Sequence, residues 1–531
     1  MSREQVAWGW GEPGAGPSLP EHADAFLRSE LGVSGSSRVE PPRVRPSTLP
    51  DSLREALARV GEMLVDAETR MLRTRGKSYL DLLASRAGAF DSAPDAVVRP
   101  ADHDGVLAAL RACADAGAAV VPFGGGTSVV GGLEAARDGF AAVVSLDLGA
   151  MDAVVDVDRT SLVAVLGPGL RLPEADRALA AHGLTLGHVP QSYEWATVGG
   201  CVATRSAGQS STGHGRIDEN VVALRLAAPA GDLATLAVPS TGAGPSLRSL
   251  VVGSEGALGA ITQVALRVRP LPVERRYEGW LARSFAEGVQ ALRALEQDGM
   301  APDVARLSDE TETRVSLAFA GPGGPGRRAA VAAKRALGYG GGCMLVLGWE
   351  GSRERVAGRR SGLAARLRRA GLLPAGRPAG EAWARTRFAG PYLRDDALDR
   401  GVLVETLETA ASWSTLEGVR DAVAGALRGA LGHALVGCHV SHLYATGASL
   451  YFTVLAAQDT GDPVAQWRRA KAAATDAIVA SGATITHHHA VGRDHAPWLE
   501  SEAGALGVDL LRAAKQRLDP AGIMNPGVLG L

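Results

Sequence analysis

Cysteine is scarce in this 531-residue chain, which holds only Cys113, Cys201, Cys343 and Cys438. They stand too far apart in sequence for a paired metal site and suggest no disulfide framework, so they read as buried small hydrophobes in a reducing compartment. Neither sign of charge is in excess: 55 Lys and Arg face 57 Asp and Glu, for a net charge of −2. A polyanion is therefore not the expected ligand, and no nucleic-acid partner is expected. Uncharged apolar runs long enough to span a bilayer are missing, and Met1 to Gln5 opens no signal-peptide core. The ending Val528-Leu529-Gly530-Leu531 is no peroxisomal address. These absences lead to the expectation of a soluble, cytoplasmic protein. No Gly-Lys-Ser/Thr occurs, which excludes a Walker A loop, and the glycine spacing fails the Rossmann fingerprint.

What is present is glycine in three separated stretches: Pro122-Phe123-Gly124-Gly125-Gly126-Thr127-Ser128, Thr197-Val198-Gly199-Gly200 and Gly253-Ser254-Glu255-Gly256-Ala257-Leu258-Gly259. The first follows the apolar run Ala118 to Phe123, and its consecutive glycines can turn successive peptide N–H groups into a nest for a pyrophosphate. Alone it is equally a glycine-rich turn; the three in order read as loops wrapped around a flavin dinucleotide.

The chain is long enough for two or three domains. Residues 1–93 read as an extended arm followed by a helix from Leu53 to Arg70. Short Val- and Ala-rich strands and two helices over residues 94–272 suggest a cofactor domain. Residues 273–505 alternate longer strands and helices, including helices Phe285 to Gln297, Leu416 to Leu431 and Pro463 to Ala480, and a strand Ala483 to His487. That alternation suits an antiparallel sheet covered by helices on one face. Residues 506–531 are expected to return to the cofactor domain. The fold class is α+β, and Gly321 to Gly326 reads as an exposed loop.

Histidine concentrates late in the chain. Six of the twelve lie between residues 439 and 495, as His439-Val440-Ser441-His442, His487-His488-His489 and His495. On a strand from Thr484 to His489, alternation places His487 and His489 on one face and His488 on the other, so at least one must stand behind the rest. Along Ala448 to Val454, Ser449, Tyr451 and Thr453 alternate with Leu450, Phe452 and Val454, which points the Tyr451 hydroxyl to a polar face. Three histidines can hold zinc or iron, but neither helical spacing nor second-element support is evident. No metal is expected.

The glycine stretches, with Asp519-Pro520-Ala521-Gly522-Ile523-Met524-Asn525-Pro526-Gly527, resemble the vanillyl-alcohol-oxidase type of FAD-linked oxidases. The fold so implied is a two-part FAD-binding domain of the PCMH type with an antiparallel-sheet cap. Within that group the chain is similar, from Trp8 to the C-terminus, to the alkylglycerone-phosphate (alkyl-dihydroxyacetonephosphate) synthases. Cys438-His439-Val440-Ser441-His442-Leu443-Tyr444, Thr446 to Phe452 and the histidine triplet carry that likeness, in place of the carboxylate-bearing metal segments of flavin-linked 2-hydroxyacid dehydrogenases.

The resemblance implies exchange of the acyl group of an acyl-dihydroxyacetone phosphate for a long-chain alcohol, through an adduct at flavin N5 and without net oxidation. Tyr451, His487, His488, His489 and Arg394 match catalytic positions; Arg306, Arg394 and His442 are the substrate-binding candidates. FAD contacts are expected from Pro122, Gly124, Gly125, Gly126, Thr127, Ser128, Pro190, Ser192, Thr197, Gly199, Gly200, Thr204, Ser206, Glu255 and Ile261. No histidine or cysteine stands inside the Gly124 to Gly132 loop, so FAD is expected to be noncovalent. The partners implied are lipid-like substrates, a peripheral membrane contact and a second copy in a homodimer. Gln191 and Ser449 depart from the synthase pattern, which has an acidic residue and a cysteine there. An FAD-dependent dehydrogenase or oxidase of a 2-hydroxy acid or alcohol is the alternative, with Arg394 holding a carboxylate.

Overall fold

The computed structural model describes residues 4–33, 35–134, 136–321, 323–324 and 332–531, so Pro322, Pro325 and Gly326 of the expected glycine-proline loop lie outside the described residues. Three large sheets organise the chain. The first runs in the order Gly61–Leu64, Ala96–Pro100, Val143–Asp147, Ala119–Phe123, its last three strands parallel. Every residue of Val143–Asp147 is buried, as a strand covered on both faces requires. The second is antiparallel, in the order Gly231–Ala234, Val221–Ala228, Ala260–Arg267, Val163–Leu166, Val154–Asp158.

The helix expected from Leu53 to Arg70 is three elements: helix Asp51–Ala58, strand Gly61–Leu64 and helix Ala67–Leu72. Gly61 lies so close to Ala96–Pro100 that a Cβ there would come 2.4 Å from the Arg99 carbonyl oxygen. Asp66 restarts the helix by accepting the Thr69 N–H. Pairing to a neighbouring strand thus overrides a helical pattern.

The third sheet has seven antiparallel strands: Leu373–Gly376, Glu274–Ala282, Cys343–Gly351, Val304–Ser308, Ala434–Tyr444, Gly447–Ala457 and Val402–Ser412. Helices Phe285–Gln297, Arg353–Arg369, Leu416–Leu431 and Pro463–Ala480 pack on one face, joining Leu403, Leu407, Val436, Val440, Leu450 and Phe452 in a single core. Burying a side chain such as Phe452 contributes about 1.5–3 kcal/mol. Because those apolar residues alternate with polar ones, the opposite face is polar.

Both chain ends lie against the glycine loops. Gln5 Nε2 donates to Gly125 O at 2.9 Å, the Trp10 N–H to Asp395, and Lys77 Nζ to Val6 O at 2.6 Å. After helix Leu499–Leu518, Met524 bridges to Val120, and Asn525 donates to the carbonyls of Gly132 and Glu255. Among the described residues no helix is long and apolar enough to cross a membrane.

Candidate active site

A cavity of about 420 Å³ separates the glycine loops from the polar face of the seven-stranded sheet. All fifteen residues named as FAD contacts line it, together with Arg306, Arg394, His442, Tyr451, His488 and His489. His487 does not. The loop geometry fits a closely held dinucleotide. A Cβ on Gly125 would lie 2.1 Å from the Trp195 carbonyl oxygen and one on Gly124 would lie 2.4 Å from Thr197 Oγ1, while Gly126 adopts φ +67°. Side chains would destroy this packing and the approach of a phosphate. On the same wall, Gln209 Oε1 is buried with no hydrogen-bond partner among the described residues, leaving an acceptor for a ligand donor.

The opposite wall is built by strand register. Glu408 stands opposite Tyr451, and Tyr451 opposite His439, so the three form one cross-strand row. The Tyr451 ring stacks on His439 with centroids 4.9 Å apart, and on His488 at 5.9 Å. His439 Nδ1 lies 2.9 Å from Glu312 Oε1, which also receives Arg306 Nη2 at 2.9 Å. Burial opposes ionisation of Glu312, yet His439 and Arg306 outweigh it and hold the carboxyl down at about 2. Burial pushes the Tyr451 phenol up to about 12 and His442 and His489 down to about 3, leaving phenol and imidazoles neutral at physiological pH.

The expected strand from Ala483 to His487 is absent: residues 483–490 form an irregular loop. Thr484 N–H still reaches the neighbouring strand at Ala410 O, but the N–H groups of Ile485, His487, His488 and His489 bond to carboxylates. Glu408 accepts the N–H of His487 at 2.6 Å, of His488 at 3.1 Å and of His489 at 2.9 Å, plus the Thr486 hydroxyl at 2.7 Å. Glu502 accepts Ile485 N–H, and Glu255 accepts Val491 and Gly492 N–H. Wrapping around Glu408 breaks the expected alternation, so His488 and His489 share the cavity wall while His487 stands away from it. Glu255 also lines the cavity, but its carboxylate holds this loop; burial pushes it up to about 7 against those two N–H donors.

Ser449, which departs from the synthase pattern, has its hydroxyl 3.0 Å from His442 Nδ1 and accepts the His442 N–H, while His442 Nε2 lies 3.0 Å from Gly208 O. Arg394, on helix Gly390–Leu398, donates to Lys77 O at 2.7 Å and faces Asp395. Gln191, the other departure, donates to Arg387 O. His442, His487 and His488 each bring one ring nitrogen within 4.8 Å of the others. By distance such a trio could receive a metal ion. Both nitrogens of His442 and both of His487 already have protein partners, which makes the group a hydrogen-bonded cluster.

The imidazoles of this wall weaken the fold in acid, and the single carboxyl of Glu255, raised to about 7, offsets only part of that loss. His442 and His489 are held neutral by burial, so the unfolded chain takes up their protons first, from about pH 6.5 downward. Burial works against a charge on Glu408, but the facing His488 and the three peptide donors hold its carboxyl well below the ordinary range. Its contribution is complete above about pH 4.3 and is lost as pH falls through its folded value. Calorimetric scans should show the melting temperature falling continuously as pH drops from about 6.5 toward 4. A flat profile would contradict the burial of neutral imidazoles.

Glu408 and Glu312 were not singled out by sequence. A signal existed in Val402 to Ala410, where Glu405 and Glu408 are the only charged residues in a largely apolar strand and a buried carboxylate needs partners.

Residues 94–237 match the family model described as an FAD binding domain, and residues 271–529 the one described as the C-terminal domain of FAD linked oxidases. The alkyldihydroxyacetonephosphate synthase of Trypanosoma brucei brucei is 30% identical, the match covering 99% of this chain and 92% of that protein. That of Dictyostelium discoideum is 31% identical, over 92% of this chain and 81% of the relative. A solved alkyldihydroxyacetonephosphate synthase structure superposes with a TM-score of 0.82 at 27% identity, covering 98% of this chain and 99% of that one. With the glycine loops and the Tyr451 wall facing one cavity, this chain belongs to the alkyldihydroxyacetonephosphate synthase family of FAD-linked oxidases.

Proposed function

We propose that this protein replaces the acyl group of an acyl-dihydroxyacetone phosphate with a long-chain alcohol, giving an ether-linked ketone phosphate and a free fatty acid with no net oxidation. The observation that carries this reading is the Tyr451 hydroxyl strand and the histidine loop facing the glycine loops across one cavity. The glycine loops at Gly124 to Ser128 and Thr197 to Gly200 would hold FAD, which when bound would supply an electrophilic ring facing the Tyr451 wall.

The chain's own residues supply the rest. A proton must leave the carbon next to the ketone, and the imidazoles of His488 and His489, the latter kept neutral by burial, are on the wall to accept it. The Tyr451 phenol, kept protonated by burial, donates to the ketone oxygen as enolate charge develops. Arg306 and Arg394 line the cavity and present guanidinium forks to the phosphate, while Glu312 fixes the orientation of Arg306. His442, anchored by Ser449, adds a polar contact for substrate.

FAD is held without a covalent bond in this reading, since the Gly124 to Gly132 loop offers no histidine or cysteine. Acid precipitation should leave the yellow colour in the supernatant; colour in the pellet would refute it. The four thiols are free and buried, in keeping with the cytoplasm. Homodimer formation and peripheral contact with a bilayer, into which both lipid substrates partition, complete the proposal.

The decisive assay is incubation of the pure protein with palmitoyl-dihydroxyacetone phosphate and labelled hexadecanol. An alkyl ether product is expected. Its absence, with lasting bleaching of the flavin by a 2-hydroxy acid under anaerobic conditions, would favour the dehydrogenase reading.

A further inference from the structure

His487 is a buried imidazole with no place in the chemistry above, since it does not reach the cavity. Its ring nevertheless joins the cavity wall to the protein exterior through an unbroken series of contacts. His488 lines the cavity, and its Nδ1 is 2.9 Å from His487 Nδ1. His487 Nε2 is 2.6 Å from the Tyr444 hydroxyl. Tyr444 ends the strand Ala434–Tyr444, beside the exposed Ala445 and Thr446, and its hydroxyl faces the Arg216 guanidinium. Arg216 in turn pairs with the partly exposed Asp218 at 3.0 Å.

The reaction needs such a route. Resting on the proposed exchange, a proton leaves the substrate carbon early in the turnover and one returns to that carbon at its end, while the proton of the alcohol departs with the fatty acid. We propose that His488, His487 and Tyr444 form a proton relay from the cavity to the surface at Arg216. The geometry orients it. Glu408 Oε2 lies 3.4 Å from His488 Nδ1, which favours a proton on that nitrogen and leaves His488 Nε2 as the acceptor toward the cavity. His487 Nδ1 then accepts, and His487 Nε2–H donates to the Tyr444 oxygen.

In one outward transfer His488 Nε2 gains a proton and Nδ1 releases one to His487 Nδ1. His487 Nε2 releases its own to the Tyr444 oxygen, and the phenolic proton passes to water at the surface. Reverse hops return a proton and restore both tautomers. No charge is stored on the way. Burial, with His442 and His488 nearby, holds His487 well below the ordinary imidazole range, and burial pushes Tyr444 up to about 12. Neither site keeps the proton or its vacancy.

The test is Tyr444→Phe, which keeps the ring packed against His487 but removes the exit. The expected result is a fall in kcat of roughly tenfold or more in weakly buffered solution, recovered by a small diffusible base such as 4-methylimidazole. Flavin content and KM should match the wild type. A variant as fast as the wild type without added base, or a slow one that no small base restores, would overturn the relay. Nitrogen-15 spectra of histidine-labelled protein give a readout independent of turnover: His487 is expected to be protonated at Nε2, and protonation at Nδ1 would overturn the proposal. If Tyr444→Phe fails to fold, His487→Gln, which can hold hydrogen bonds but cannot pass a proton, is judged by the same criteria. Absence of ether product from the wild type would sink the proposed exchange itself, whereas a variant unaffected in an active background sinks only the relay.

Discussion

Replacing Tyr451 with phenylalanine should lower the rate of ether formation about 10²–10⁴-fold, the usual worth of a positioned proton donor, while the protein stays folded and yellow. The ring itself is structural: it sits between His439 and His488 and stacks on both, contacts that phenylalanine keeps. Only the hydroxyl is lost. That hydroxyl is protonated at neutral pH because burial opposes the phenolate, so in the proposed chemistry its service is donation to a developing enolate oxygen. Steady-state kinetics with flavin absorbance and a melting curve would check this. Wild-type turnover by the variant would remove Tyr451 from the chemistry.

Glu408→Ala should be at least as damaging, by a different route. Its carboxylate, 1% exposed, receives three consecutive peptide N–H groups and the Thr486 hydroxyl. Alanine strands four donors, of which the buried His487 N–H alone costs about 1–3 kcal/mol, and frees the segment that aims His488 and His489 into the cavity. A misplacement of about 1 Å is enough to lose 10²-fold in rate. Glu408→Gln keeps one acceptor oxygen and should recover part of both stability and kcat. The KM for the ketone phosphate should change little in that variant, because Arg306 and Arg394 are untouched. Equal stability and activity in all three proteins would show that Glu408 does not set the loop.

The fold was largely written in local pattern. The boundaries of helices Phe285–Gln297, Leu416–Leu431 and Pro463–Ala480 follow from apolar periodicity and flanking caps such as Ser284 and Asp462, because amphipathic helices packed on a sheet repeat every 3.6 residues. The polar face bearing Tyr451 was equally legible, since a strand alternates with period two and its neighbours Leu450 and Phe452 are core residues. The glycine loops were legible because only residues without a side chain fit against Trp195 O and Thr197. Where residues compete for partners distant in sequence, pattern failed. Ala483 to His487 has the composition of a strand, but the carboxylates of Glu502 and Glu408 took the N–H groups of Ile485 and His487. Gly61 to Leu64 looked helical until Ala96–Pro100 offered a ladder.

The amino-acid sequence by itself determined the glycine loops, the α+β architecture and the side chains on the polar face of the Tyr451 strand, because each rests on short-range periodicity or on residues within one segment. Which imidazoles reach the cavity, which one stands behind them joined to Tyr444, and which carboxylate holds all three were decided only by tertiary structure. The reason is physical: a buried charge is placed by the donors that surround it, and here those donors and Glu408 are 79 to 81 residues apart.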